Sequence, residues 1–438
     1  MSDLPNILWI FTDQHRAQAM SCAGDVNIDT PHLDRLANEG IRFSNAYTNT
    51  PLCSPSRACI YTGTYSSTHG AFALHVPPKA QMRMLQEELQ DLGYLTSHYG
   101  KWHMSGGAAP SHFTSPYFRP GWDQWMGWEN SNEPWATQYS VGDFPLPIKT
   151  LEGYQTDALT NLSLEFIERQ KGNKPWFHVL SIEPPHQPNT PPEAYRQEFS
   201  HKDLVYRDNV PEAYFKDPVN KEALIGYYGQ IKNIDDNIGR ILEKLEASNQ
   251  LNNTIIFYFS DHGDMFGSHN YRGKSLSYVE SSQIPLIIRY PKKVLGGQVS
   301  PALISTVDFL PTLLGMLGTK APAYCQGADL SDLVYGLSNQ GAEEVLIQFE
   351  RNFYGVADKD QIYRTLVKGD WIYTYYLNTA YEALYNLEED PYQMRNLAVD
   401  LKDVLSQKQG QRMHKLLRNK LELLEDDFFG RSPQAMEL

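Results

Sequence analysis

Hydrophobic positions in this chain have two textures. Residues 6–12, 175–182, 254–260 and 284–290 are continuous apolar runs of strand length, and 95–99 is a shorter strand-like stretch. Runs that are apolar at every position, rather than at alternate ones, are what strands buried on both faces look like. Residues 221–248 instead carry Leu224, Tyr228, Ile231, Ile234, Ile238, Ile241, Leu242 and Leu245 at a helical period, so this segment is expected to be a long packing helix. Residues 30–40 read as a short helix with Pro31 at its first position and Gly40 as its stop. Buried strands separated by helices predict an α/β fold built on a large, mostly parallel sheet. Beyond about Gly336 the texture changes to short alternating strands at 345–349, 363–367 and 371–376, then an amphipathic helix from Lys402 to about Leu424. The expected division is a large α/β unit over 1–336 and a small α+β subdomain over 337–438 with a short antiparallel sheet and a terminal helix.

Charge narrows the partners. The 438 residues carry a formal net charge of −14, which argues against nucleic acid and anionic membrane as partners. An anionic substrate would need a local cluster of cations. No apolar run approaches the length of a membrane span, and Met1-Ser2-Asp3-Leu4-Pro5 lacks the basic and apolar regions of a signal peptide. The expected compartment is therefore cytoplasmic, or periplasmic or secreted where a leader has been removed. Cys22, Cys53, Cys59 and Cys325 show neither a disulfide framework nor paired metal-ligand spacing.

Chemistry concentrates where the apolar runs end. The first run delivers Asp13 and Gln14, and the run 254–260 delivers Asp261-His262-Gly263-Asp264. If the two strands are neighbours, both carboxylates meet at one sheet edge and suit a hard cation such as Ca²⁺ or Mg²⁺. Asp13 on its own reads as well as a helix cap. In Pro51-Leu52-Cys53-Ser54-Pro55-Ser56-Arg57, a cysteine at a helix start has an arginine four residues on, a pattern that would lower the pKa of a thiol. An inert buried cysteine fits that local pattern equally well. Lys101 and His103 follow a strand and would point the same way on extended backbone, although such a pair is more often a solvated surface. His186 is held in a proline-rich loop. Residues 117–139 are rich in aromatics, and Trp128, Trp135 and Tyr139 are candidates to stack on a sugar ring.

Several of these stretches together resemble one family. Cys53-Ser54-Pro55-Ser56-Arg57 with Thr62-Gly63 is similar to the sulfatase signature, and Gly100-Lys101-Trp102-His103 resembles its second signature. Pro185-His186-Gln187-Pro188, the block from Asp261 through His269 to Lys274, the segment Thr30-Pro31-His32-Leu33-Asp34, and Glu382 to Pro391 with Asn396-Leu397 resemble further family elements in the same order. The resemblance reaches from Asn6 to about Leu397 and implies a Type I, formylglycine-dependent sulfatase of the alkaline-phosphatase-like superfamily. It implies that a maturation enzyme oxidises Cys53 to Cα-formylglycine. It also implies a divalent cation, Ca²⁺ with Mg²⁺ or Mn²⁺ as alternatives, held by Asp13, Gln14, Cys53, Asp261 and His262. Gln14 departs from the acidic residue common there.

By the same resemblance Arg57, Lys101 and Lys274 offset charge on the sulfuryl oxygens, His103 is the base that releases sulfate, and His186 or Lys274 protonates the departing alcohol. The substrate expected is a sulfated small molecule or glycan, with a carbohydrate sulfate first, contacted by Lys101, His186, Lys274, Trp128 and Trp135. His32, His69, His178 and His269 are expected to be structural. A homo-oligomer is compatible with this reading. Two rivals stand beside it: a phosphonate monoester or phosphodiester hydrolase of the same superfamily, and a non-catalytic binder of sulfated glycan in which Cys53 stays a thiol.

Overall fold

The apolar runs lie side by side in the computed structural model, which describes residues 4–431 other than 108–110, 146, 173, 201–202, 351–361 and 400–402. A 10-stranded sheet runs in the order Gln298–Ser300, Ile41–Phe43, Leu286–Arg289, Thr254–Ser260, Asn6–Asp13, Trp176–Pro185, Leu95–Lys101, Gln124–Trp128, Gln138–Val141, Ile148–Thr150. The central strands are parallel, while Leu286–Arg289 and Gln138–Val141 pair antiparallel with both neighbours. Successive side chains of Asn6–Asp13 enter different cores. Ile7, Trp9 and Phe11 pack with Phe177, Val179, Phe257 and Phe259 on one face. Leu8 and Ile10 pack on the other with Leu180, Tyr258 and the apolar stripe Ile234, Ile238 and Ile241 of the helix Pro218–Ala247. Burial on both faces is why this strand reads as a continuous run.

The long helix also fixes the start of the short one. Asp235 accepts from the backbone N–H of Leu33 at 2.8 Å and of His32 at 3.1 Å, so it caps the helix Pro31–Asn38 from across the interface. No described helix is long and apolar enough to cross a membrane.

The C-terminal strands Val345–Phe349, Tyr363–Lys368, Trp371–Tyr376 and Tyr381–Asn386 form an antiparallel sheet in that order. The fourth strand was not expected, because Glu382 and Asn386 break its apolar pattern. The terminal helix spans Val404–Leu423, and Lys402, where it was expected to begin, lies outside the described residues. Its Met413, Leu417 and Leu421 cover one face of this sheet. The other face, with Val345, Ile347, Phe349 and Tyr363, packs against Leu52 and Cys53. The small sheet is thus the backing of the Cys53 helix, and Tyr363 Oη donates to the Ser275 carbonyl at 3.3 Å, next to Lys274.

One glycine is required to bring the strands this close. Gly100 sits at φ +117°, and a Cβ there would stand 1.9 Å from the Ser181 carbonyl oxygen of the neighbouring strand. Backbone cannot yield as a side chain can, so Gly100→Ala is expected to cost about 2–4 kcal/mol. Denaturant unfolding checks this, and a loss under about 0.5 kcal/mol would show that the pairing relaxes.

Candidate active site

Parallel pairing of Asn6–Asp13 with Thr254–Ser260, with Thr12 opposite Ser260, makes the two strands neighbours and brings Asp13 and Asp261 to one carboxyl edge. Both are fully buried. The Asp261 Oδ1 accepts from the backbone N–H groups of Gln14 and His262 at 3.1 and 3.0 Å. Between the two carboxylates lies Arg57, whose Nη2 reaches Asp13 Oδ2 and whose Nε reaches Asp261 Oδ2, each at 3.1 Å. The guanidinium also donates to the Lys101 carbonyl at 2.9 Å and to Ser181 Oγ at 3.1 Å, and lies over the Phe11 ring.

On the side of the carboxylates away from Arg57, Cys53 opens the helix Cys53–Thr62. Its Sγ is 3.3 Å from His262 Nε2 and 3.6 Å from Asp13 Oδ1. One donor atom from each of Asp13, Cys53, Asp261 and His262 lies within 4.8 Å of the others. The His262 Nδ1 is 3.0 Å from the Gly263 carbonyl and donates there, so the Nε2 lone pair faces the carboxylates. Burial and the facing Asp13 push Asp261 up to about 7. Two buried carboxylates and an imidazole lone pair converging on one point fit a divalent cation. Gln14 is turned differently from expectation. Its Oε1 accepts from Lys274 Nζ at 2.9 Å, and its Nε2 donates to Asp264 and Gln187.

Above this edge is a pocket of about 310 Å³ lined in part by Cys53, Lys101, His103, His186, Arg272 and Lys274. Lys274 Nζ is 2.9 Å from Cys53 Sγ. Lys101 Nζ bridges Asp13 Oδ2 at 2.9 Å and Glu183 Oε1 at 3.0 Å. Burial alone would lower both lysines, but the carboxylates and thiol beside them hold both above the ordinary lysine value. His103 is drawn well below the usual histidine value by burial and by Lys101, and neither ring nitrogen has a hydrogen-bond partner among the described residues. It faces the pocket with Lys101, though not by strand alternation, since His103 adopts φ +60° after the strand has ended. His186 is half-buried, donates Nδ1–H to the Gln187 carbonyl at 2.7 Å, and is pushed down to about 3 by burial and Lys274.

Further sequence expectations need correction. The Cys53 thiol is not activated by its helix start: burial and Asp13 push it up to about 11. A helix terminus contributes only about 0.3–1 kcal/mol, and desolvation outweighs it. Arg57 is sealed behind the carboxylates with no exposed surface, so it positions Asp13 and Asp261 rather than meeting an anion in the pocket. Trp128 is fully buried, with its indole N–H on Glu183. Trp135 and Tyr139 do not line the pocket. Trp135 donates to the Thr190 carbonyl and packs on Tyr154, and Tyr139 lies in the core.

The wall those aromatics were expected to form is made instead by Asn130 and Asn132, whose side-chain oxygens have no partner among the described residues. Behind them Glu183 takes Lys101, the Trp128 indole and the Asn132 backbone N–H at once. Neither the asparagines nor Glu183 had a signal beyond adjacency to the aromatic segment and to His186. Three of the histidines expected to be structural, His69, His178 and His269, have partners in the surrounding fold. His178 lies between Ser97 and Ser163, His69 against Cys59 and the Ala71 N–H, and His269 stacks on Tyr278.

Comparison with known proteins identifies the family. The family model described as Sulfatase matches residues 5–319, and the model described as N-sulphoglucosamine sulphohydrolase, C-terminal, matches residues 267–426. An ulvan-active sulfatase of Formosa agariphila is 34% identical over 400 residues, covering 90% of this chain and 77% of that protein. An N-acetylglucosamine-6-O-sulfatase of Bacteroides thetaiotaomicron is 31% identical, covering 77% of this chain and 71% of that protein. A structure solved with its substrate D-glucosamine-2-N,6-O-disulfate superposes with a TM-score of 0.84 at 25% identity, over 97% of this chain and 99% of the other. Matched over most of its length and built on the same α/β sheet, the chain belongs to the sulfatase family, the sulfuric ester hydrolases of the alkaline-phosphatase-like superfamily.

Proposed function

We propose that this sulfatase removes a sulfate ester from a carbohydrate, with residue 53 as the reacting position. The observation that carries the reading is the convergence of Cys53, Lys101, His103, His186 and Lys274 on one pocket directly above the Asp13, Asp261 and His262 cluster. Formylglycine formed from Cys53 would supply a hydrated aldehyde as nucleophile, and a divalent cation held by Asp13, Asp261 and His262, Ca²⁺ in this reading, would polarise a sulfate oxygen.

The chain's own groups do the rest. Lys101 and Lys274 enter the reaction protonated and hold the sulfuryl oxygens from two sides, and Lys101 keeps its charge throughout. Lys274, whose Nζ already stands beside residue 53, gives its proton to the alcohol oxygen as the bond from that oxygen to sulfur breaks. His186, neutral with Nδ1–H tied to Gln187, presents Nε2 to orient that oxygen. His103 is neutral and has both nitrogens free among the described residues, so it takes the proton that must leave residue 53 before sulfate departs. Buried Arg57 keeps both carboxylates in place throughout.

Carbohydrate is favoured by the wall of the pocket. The Asn130 and Asn132 oxygens are acceptors without donors, and an acceptor buried without a partner costs about 1–3 kcal/mol. Sugar hydroxyl or amide donors would satisfy them. The relatives matched above act on ulvan and on N-acetylglucosamine 6-sulfate, which supports the same class.

The test is sulfate release from a panel of sugar sulfates, nitrophenyl sulfate and a nitrophenyl phosphodiester. A sugar sulfate is expected to give the highest kcat/KM. Asn130→Ala is expected to raise KM for that sugar by roughly tenfold and for nitrophenyl sulfate far less. Preference for the phosphodiester would overturn the reading, and an equal effect of Asn130→Ala on both sulfates would remove the carbohydrate part.

A further inference from the structure

The pocket holds one more cation than a single sulfate needs. Lys101 is engaged by Asp13 and Glu183, and Lys274 stands against Cys53 and Gln14, so both belong to the floor where the reacting sulfate is placed. Arg272 also lines the pocket but is largely exposed at its rim. Its Nη2 donates to Asn189 Oδ1 at 3.2 Å, and its guanidinium carbon lies 5.8 Å from the centre of the Phe266 ring. Asn189 is itself held, through Nδ2, by the Pro185 carbonyl and Gln230 Oε1. The guanidinium is therefore anchored by neutral partners, and no carboxylate among the described residues pairs with it. No aspartate or glutamate among the described residues lines the pocket, although the chain as a whole carries a net charge of −14.

We infer that Arg272 binds a second anionic group of the substrate, so the enzyme is built for saccharides carrying a further sulfate or a carboxylate near the sulfate it removes. This rests on the sulfatase reading of the same pocket. An anchored fork with unused donors is suited to either oxyanion. Its Nη2 stays on Asn189, which leaves the other N–H groups to meet the anion. The neutral acceptors Asn130 and Asn132 then read the uncharged part of the sugar. Substrate selection is thus divided between floor, wall and rim.

The test needs no knowledge of the sugar. Calorimetric titration of the mature protein with propane-, butane- and pentane-disulfonate, against the monosulfonates of the same lengths, measures what a second anion adds. At least one disulfonate is expected to bind roughly threefold to tenfold tighter than its monosulfonate, the range for a charge pair at a solvent-accessible rim. Arg272→Ala should cancel that advantage, Arg272→Lys should keep part of it, and added salt should shrink it. The matching sulfo-carboxylates show whether the rim prefers carboxylate to sulfonate. Equal binding of mono- and disulfonates by the parent protein, or an advantage that persists in Arg272→Ala, would overturn the inference. Failure of every sugar sulfate in the turnover panel would instead strike the carbohydrate reading and leave this binding result standing.

Discussion

Cys53→Ala is expected to lower sulfate-ester turnover by about 10⁴-fold or more, the scale on which loss of a covalent nucleophile is felt. The geometry leaves no substitute. Lys274 Nζ at 2.9 Å and His262 Nε2 at 3.3 Å both face this side chain. The other three cysteines lie outside the pocket. The loss is not expected to come from unfolding. Removing a buried thiol of this size costs on the order of 1 kcal/mol, and thermal melting of the variant should show a folded protein. Turnover within tenfold of the parent protein would exclude residue 53 as nucleophile. Retained binding of a sulfated glycan without turnover, in parent and variant alike, would favour the non-catalytic rival.

Removal of the cation is expected to have the second largest effect. Chelation should lower turnover by roughly 10²–10³-fold, and Asp261→Asn should do the same with the cation in excess. Without a cation, Asp13 and Asp261 confront each other in a buried site, and Asp261 is driven up to about 7. The sign of the pH dependence follows. Below about pH 7 the metal-free protein takes up a proton on Asp261, which a cation must displace, so cation affinity should weaken as pH falls through 7. Above it Asp261 is ionised and affinity should level off. Binding should also stabilise the fold by about 2.7 kcal/mol at a cation concentration 100 times Kd, visible as a rise in Tm. Full activity in chelator with no change in Tm would contradict the assignment of Asp13, Asp261 and His262.

Much of this was legible in the sequence, for a physical reason. Strands buried on both faces betray themselves as apolar runs, and the residue that ends such a run must sit at the sheet edge. That logic located Asp13 and Asp261 and, once the strands proved adjacent, their meeting. Arg57 was found but misread. It was expected to meet the sulfuryl oxygens, whereas the side chain turns under the carboxylates, and only tertiary packing decides which side of a buried ion pair meets solvent. The thiol was misread likewise, because local sequence shows a helix terminus but not the desolvation that outweighs it. The aromatic segment drew attention to the right loop and the wrong residues. Large rings such as Trp128 fill the core, leaving Asn130 and Asn132 on the wall. Nothing local marks an asparagine whose acceptor lacks a donor. Glu183 was passed over because it continues an apolar strand, although it joins Lys101 to the Asn132 backbone.

The central claim is that residue 53 is the reacting group, and the mass of the tryptic peptide of residues 43–57 tests it most directly. Protein produced with a formylglycine-generating enzyme is expected to show the mass loss of thiol-to-aldehyde conversion on that peptide, with sulfate-ester turnover rising in proportion to the converted fraction. An unmodified Cys53 in protein that turns over sulfate esters at full rate would contradict the account.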